Sequence, residues 1–134
     1  MRQAGGVPVG RTLYERVGGE PFFDELTRRF YQAVAGDEIL RPMYPSDPGG
    51  FEAARVHLRD FLIQRWGGPT TYSDTRGHPR LRLRHARFSI GTEARDAWVR
   101  HMREALLAAR IGSLDEHQML TFFEASATDL VNTA

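Results

Sequence analysis

The sequence predicts an all-α fold. Apolar residues recur at helical spacing along every long segment. Glycine pairs and prolines cut the chain into pieces of helix length. The one stretch that alternates as a strand would, Leu81–Arg82–Leu83–Arg84, is short and isolated, and a lone strand cannot satisfy its own backbone.

The elements follow in order. Thr12 is an N-cap, with Glu15 three residues on completing a capping box for a short helix over Leu13 to Val17, which stops at Gly18–Gly19. A longer helix starts near Pro21, a favoured first-turn residue. Its apolar stripe is Phe22, Phe23, Leu26, Phe30 and Val34, and Gly36 ends it. Asp37 to Met43 reads as a helical turn before Pro45, Pro48 and Gly49–Gly50. The next helix runs from Phe51 to Trp66, with Phe51, Ala54, Leu58, Phe61 and Leu62 on one face, and Gly67–Gly68–Pro69 stops it. Thr70 to Arg80 reads as a polar connection, followed by a short segment around Leu81 to His85. Thr92 is expected to cap a helix with Ala94, Trp98, His101, Ala105 and Leu106 inward, ended by Gly112. A last helix, Leu114 to Val131, carries Met119, Phe122, Phe123, Ala127 and Leu130 on one side.

A chain of 134 residues is long enough for one domain with a continuous core. Residues 1–11 read as a flexible tail and 12–134 as the domain. The net charge is +1, so no whole-chain field points to nucleic acid or a membrane. No apolar run approaches a membrane span, and Met1 to Arg11 lacks the apolar core of a secretory leader, which makes the cytoplasm the expected location. The absence of cysteine excludes disulfides, thiolate zinc sites, iron–sulfur clusters and cysteine nucleophiles. All 18 basic residues are arginine, the side chain suited to bidentate pairing with carboxylates.

The five histidines are the neutral-pH metal ligands of this chain. His57 flanks its helix stripe, His78 sits between glycine and proline, and His117 points to a polar side. His101 falls on an apolar face, and His85 lies among Leu81, Leu83 and Phe88. Spacing does not choose between His85 and His101. No paired spacing marks a multi-ligand zinc or di-iron site, and a metal held by one protein ligand brings its own macrocycle, which points to haem. Tyr31, Tyr44 and Trp98 are aromatic residues whose polar atoms need partners when buried. Aimed into an apolar cavity, they would stabilise a polar ligand at a haem iron; as core aromatics, they would bond backbone carbonyls. Arg76, Arg80, Arg82, Arg84 and Arg87 crowd one stretch without interleaved aromatics, which argues against a nucleic-acid surface. They form a solvated loop or pair with an anionic cofactor. Phosphate-loop, dinucleotide and serine-hydrolase patterns are absent.

Taken together, several fragments resemble the second group of truncated haemoglobins. They are Leu13-Tyr14-Glu15-Arg16-Val17-Gly18-Gly19, Arg29-Phe30-Tyr31, Met43-Tyr44-Pro45, Phe61-Leu62, Trp66-Gly67-Gly68-Pro69, Arg76-Gly77-His78-Pro79-Arg80-Leu81-Arg82, Arg84-His85 and Asp96-Ala97-Trp98. The resemblance spans about Thr12 to Asn132 and implies a two-over-two helical sandwich around haem b. It places the proximal ligand at His85 and makes His101 a packing residue. It places distal donors at Tyr31, Tyr44 and Trp98, and ligand-facing positions at Ala54 and Leu58, with Phe61 beside them and Phe88 near the cofactor. Arg84, with His78 or Arg80, would meet the haem propionates.

The function implied is reversible binding of dioxygen or another diatomic ligand. A haem enzyme consuming peroxide or nitric oxide is the related alternative, and a haem-free helical module using the arginine cluster is the alternative from another class. A reductase and a homodimer are the protein partners this reading admits.

Overall fold

The computed structural model describes residues 11–80, 85 and 89–133. Residues 1–10 of the expected tail, the alternating segment at 81–84, and the site candidates Arg84 and Phe88 lie outside the described residues.

Among the described residues the regular elements are all helical: α1 (Leu13–Val17), α2 (Glu20–Ala35), a 3-10 turn (Arg41–Met43), α3 (Pro48–Arg65), α4 (Thr71–Arg76), α5 (Thr92–Ala109) and α6 (Ser113–Asp129). The capping box forms as the sequence dictates. Thr12 Oγ1 accepts from the Glu15 amide at 3.2 Å, and Glu15 Oε1 accepts from the Thr12 amide at 3.0 Å. Helix α1 ends at Gly18, whose φ of 116° is left-handed, a conformation that costs glycine little.

Three expectations are corrected. Helix α3 starts at Pro48 rather than Phe51. Asp47 caps it by accepting from the Gly50 amide at 2.7 Å, and Pro48 takes the first helical position, where its missing N–H costs nothing. The stretch Thr70 to Arg80 is not wholly irregular, because Thr71–Arg76 forms α4. Thr92 does not cap α5: Gly91 holds that position without a side-chain bond, and Thr92 is the first helical residue.

Helix α2 packs on α3 and α5, α5 on α6, and α3 on α4. One pair, α2 with α3, thus lies against the other, α5 with α6, as a two-over-two sandwich. An aromatic seam closes the core, with Phe23 stacked on Trp66 at 6.2 Å, Trp66 edge-on to Phe122 and Phe123 at 5.1 and 5.6 Å, and Trp98 against Phe123 at 5.8 Å. Such rings contribute beyond their buried area. The second glycine pair is a close approach as well as a stop. A Cβ on Gly67 would fall 2.5 Å from Thr12 Cγ2, and one on Gly68 would fall 2.6 Å from Ile63 Cγ2. Here the Tyr14 amide donates to Trp66 O at 3.0 Å, docking α1 onto the end of α3.

The α2–α3 seam holds a feature that periodicity did not signal. Arg55 is 3% exposed. Its guanidinium donates to Glu52 Oε1 and Oε2 at 2.9 and 2.7 Å, to Asp24 Oδ1 at 3.1 Å and to Thr27 Oγ1 at 3.1 Å. Arg59 joins the same Asp24 oxygen at 3.0 Å. A charge this buried persists only when paired and hydrogen-bonded.

Candidate functional site

The four long helices and the turn before α3 enclose a cavity of about 360 Å³, a volume within the range of small-molecule and cofactor sites. Tyr31, Tyr44, Ala54, Leu58, Phe61, His85 and Trp98 all line it. These residues come from α2, the turn, α3, the segment between α4 and α5, and α5 itself, so only the tertiary fold brings them together.

Each element supplies its side chain for a local reason. Tyr31 lies on the buried stripe of α2. Tyr44 follows the 3-10 turn with extended backbone, its amide bonded to Arg41 O at 3.1 Å. Ala54 and Leu58 stand one turn apart on α3, hence on one face. His85 has helical backbone and is partly buried.

The donors form a packed group. Tyr31 and Tyr44 meet edge-on with centroids 5.4 Å apart; Phe51 packs on Tyr31 at 5.1 Å, and Phe30 packs on Trp98 at 5.0 Å. The Trp98 indole and the Tyr31 hydroxyl are the polar groups that act on the Tyr44 phenol. Burial pushes the Tyr44 phenol up to about 12, against the pull of those two groups. Burial also raises Tyr31, reinforced by Tyr44 and opposed by the charge of Arg55. Both phenols therefore keep their protons throughout the neutral range. A phenol that keeps its proton has one O–H to donate.

The histidines sort by place. His85 lines the cavity and His101 does not. His101 lies instead 2.7 Å, through Nε2, from Asp37 Oδ2, so it is a hydrogen-bonded tether rather than an apolar packing group. His78 is exposed and away from the lining, its Nδ1 accepting from the Arg80 amide at 3.1 Å. Arg80 is likewise exposed and outside the lining, and His117 is exposed.

Sequence reasoning missed the basic lining groups His57, Arg76 and Arg95. Arg76 Nη1 lies 3.3 Å from His57 Nε2. The signal was available for His57, which follows Ala54 by three residues and so shares its face of α3. Arg76 was read only as part of a basic stretch, because the helix α4 that carries it was read as a loop. Arg95, on α5, lines the cavity too, with Nε 3.1 Å from Thr128 Oγ1. Among the described residues no three His, Asp or Glu side chains converge as a metal site.

A model of the bacterial-like globin family matches residues 12–132. The chain is a bacterial-like globin. Among curated relatives, the group 2 truncated haemoglobin of Bacillus subtilis (strain 168) is 42% identical over 69% of this chain and 67% of its own length. The crystal structure of a thermostable haemoglobin from the actinobacterium Thermobifida fusca is 49% identical, with a TM-score of 0.87 over 91% of this globin and 98% of that chain. The structure of a truncated oxygen-avid haemoglobin from Bacillus subtilis is 33% identical, with a TM-score of 0.84 over 91% of this globin and all of that chain (100%). These relatives make it a truncated haemoglobin of the second group, and the family implies haem as cofactor and a diatomic gas as ligand. Among the described residues no helix is long and apolar enough to cross a membrane.

Proposed function

We propose that this globin binds haem b through His85 and holds dioxygen or another diatomic ligand reversibly against a hydrogen-bonding wall of Tyr44, Trp98 and Tyr31. The observation that carries this reading is that His85 and these three residues line one largely apolar cavity.

The residues present fit the cofactor. Leu40, Leu58, Phe61, Ile90 and Phe123 offer an apolar bed, His85 an imidazole, and Arg76 and Arg95 guanidinium groups for the propionates. Arg84, which the resemblance also assigns to a propionate, lies outside the described residues, and His78 faces solvent. When bound, haem supplies an iron that takes a diatomic gas.

The protein does the rest. His85 would give the iron its protein ligand. Ala54 and Leu58 present a small and an apolar group where a polar side chain would draw in water, keeping the local dielectric low. Tyr44 carries an O–H, and burial keeps that proton in place across the neutral range. A donor held ready in a dry site stabilises partial negative charge on a ligand without reorganising. Each such bond is worth about 1.5–3 kcal/mol, so one donor slows ligand release by roughly one to two decades. The oxygen avidity ascribed to the Bacillus subtilis relative accords with slow release.

The test is the visible spectrum of the wild type and a His85→Ala variant, each supplied with haem, in ferric, ferrous and carbon-monoxide-bound states. Histidine-type haem spectra lost or weakened in the variant are expected. Spectra untouched by the change would overturn the role of His85, and failure of the wild type to take up haem would overturn the function.

A further inference from the structure

The His101–Asp37 pair stands outside the cavity, yet it joins two of the three elements that carry the cavity's donors, the turn before Tyr44 and α5 with Trp98. His101 follows Trp98 by three residues on α5, and its Nε2 lies 2.7 Å from Asp37 Oδ2. The two side chains are only 15% and 9% exposed. His101 Nδ1 is buried and makes no hydrogen bond, so the ring commits its hydrogen bonding to Asp37. Two further charged groups of α5 face the pair: Arg100, with Nη2 3.6 Å from the same Asp37 oxygen, and Glu104, with Oε1 3.9 Å from His101 Nδ1.

The second oxygen of Asp37 looks the other way along the chain. Asp37 Oδ1 accepts from the amides of Ile39 and Leu40 at 2.8 and 3.0 Å. Its carbonyl accepts from the Arg41 amide at 2.9 Å, and Arg41 O accepts from the Tyr44 amide at 3.1 Å. One carboxylate therefore fixes α5 with one oxygen and, with the other, the turn that ends at Tyr44. Trp98 and Tyr44 both line the cavity, so a continuous run of bonds outside it, from His101 through Asp37 and the turn, ties together the elements that carry them.

We propose that His101 and Asp37 are positioning residues, a latch that fixes the Tyr44 phenol against Trp98 and thereby sets how long the cavity retains its gas ligand. This rests on the haem-globin reading above. Neither residue touches the ligand. A bond that served stability alone would join these elements without affecting the field inside the cavity, whereas a latch changes what Tyr44 presents to the ligand.

The experiment uses the haem-loaded full chain with His101→Leu, His101→Gln and Asp37→Asn, and reads two quantities: the infrared stretch of bound carbon monoxide and the rate of oxygen release. His101→Leu removes the donor. His101→Gln retains an amide N–H near the position of Nε2. Asp37→Asn removes the charge but keeps an oxygen for the two backbone amides, so it carries the test should His101→Leu fail to fold. The latch predicts a stretch moved to higher frequency and release faster by about tenfold in His101→Leu and Asp37→Asn, the factor of one lost hydrogen bond. It also predicts recovery of both readouts in His101→Gln, and no further effect of either disrupting change once Tyr44→Phe is present. Wild-type stretch and release in the disrupted variants, or effects that simply add to those of Tyr44→Phe, would overturn the latch while leaving the haem site standing. Loss of His85-dependent haem spectra in the wild type would instead overturn the reading on which it rests.

Discussion

At the α2–α3 seam a guanidinium is buried among carboxylates; at the cavity wall a buried phenol, Tyr31, meets a partly buried phenol and indole, Tyr44 and Trp98. The seam satisfies Arg55 with full charges on Asp24 and Glu52. The wall surrounds Tyr44 with neutral polar groups, the Trp98 indole and the Tyr31 hydroxyl. Charge pairs consume the bonding capacity of both partners and fix two helices. A neutral phenol keeps an O–H to donate, and that proton is what a gas-binding cavity needs. Seam residues should therefore govern stability with little effect on ligand release, and wall residues the reverse.

The largest effect expected is on the seam. Arg55→Leu removes the buried bond from Asp24 to α3 and leaves only the more exposed Arg59 to join them; it should cost about 3 kcal/mol of stability, read by denaturant unfolding of the haem-loaded protein. Oxygen release should stay near the wild-type rate. A variant of full stability with fast release would invert the comparison.

On the wall, Tyr44→Phe removes that donor. Oxygen release should accelerate roughly ten- to a hundredfold with a small change in unfolding midpoint, measured by stopped-flow displacement. Trp98→Phe should have a smaller effect, about severalfold, because the indole acts on the Tyr44 phenol and through it on the ligand. Equal effects of the two would place Trp98 on the ligand directly.

The smallest effects separate the regions by pH. Hydrogen bonding from Arg28, with Arg59 and Arg55, holds the Asp24 carboxyl well below the usual carboxylate range. A lowered folded value contributes stability above the unfolded value, lost as pH falls through the folded one. The seam should thus weaken only in strong acid, and Asp24→Asn should flatten that loss in a circular-dichroism titration. Tyr44 has the opposite sign. Its folded value of about 12 lies above the ordinary 10.0, so its contribution is full below 10.0 and lost through about 12. Phenolate absorbance should show Tyr44 among the last phenols to ionise, and ionisation at the ordinary value would contradict its burial.

Much of this was legible in the sequence where the physics is local. The capping box at Thr12 and Glu15, the glycine stops and the stripes of α2 and α5 depend on neighbours within a turn. What was missed depends on partners or on ambiguous chemistry. Pro48 reads as a breaker or as a first helical residue, and the Asp47 cap decides between them. Arg55 reads as a solvent-facing charge until Asp24, 31 positions away, closes on it. Periodicity turned His101 inward but did not name Asp37, 64 positions away. The three donors were identified by residue type, whereas their meeting at one cavity wall is a property of the fold.

The most direct measurement is the iron–histidine stretch in the resonance Raman spectrum of the ferrous, ligand-free protein, compared across His85→Ala, His57→Ala and His101→Ala. The stretch should be present in the wild type, vanish in His85→Ala and persist in the other two. A stretch that survives His85→Ala, or disappears with His57→Ala, would contradict the assignment of His85 and move the ligand to the other side of the cavity lining.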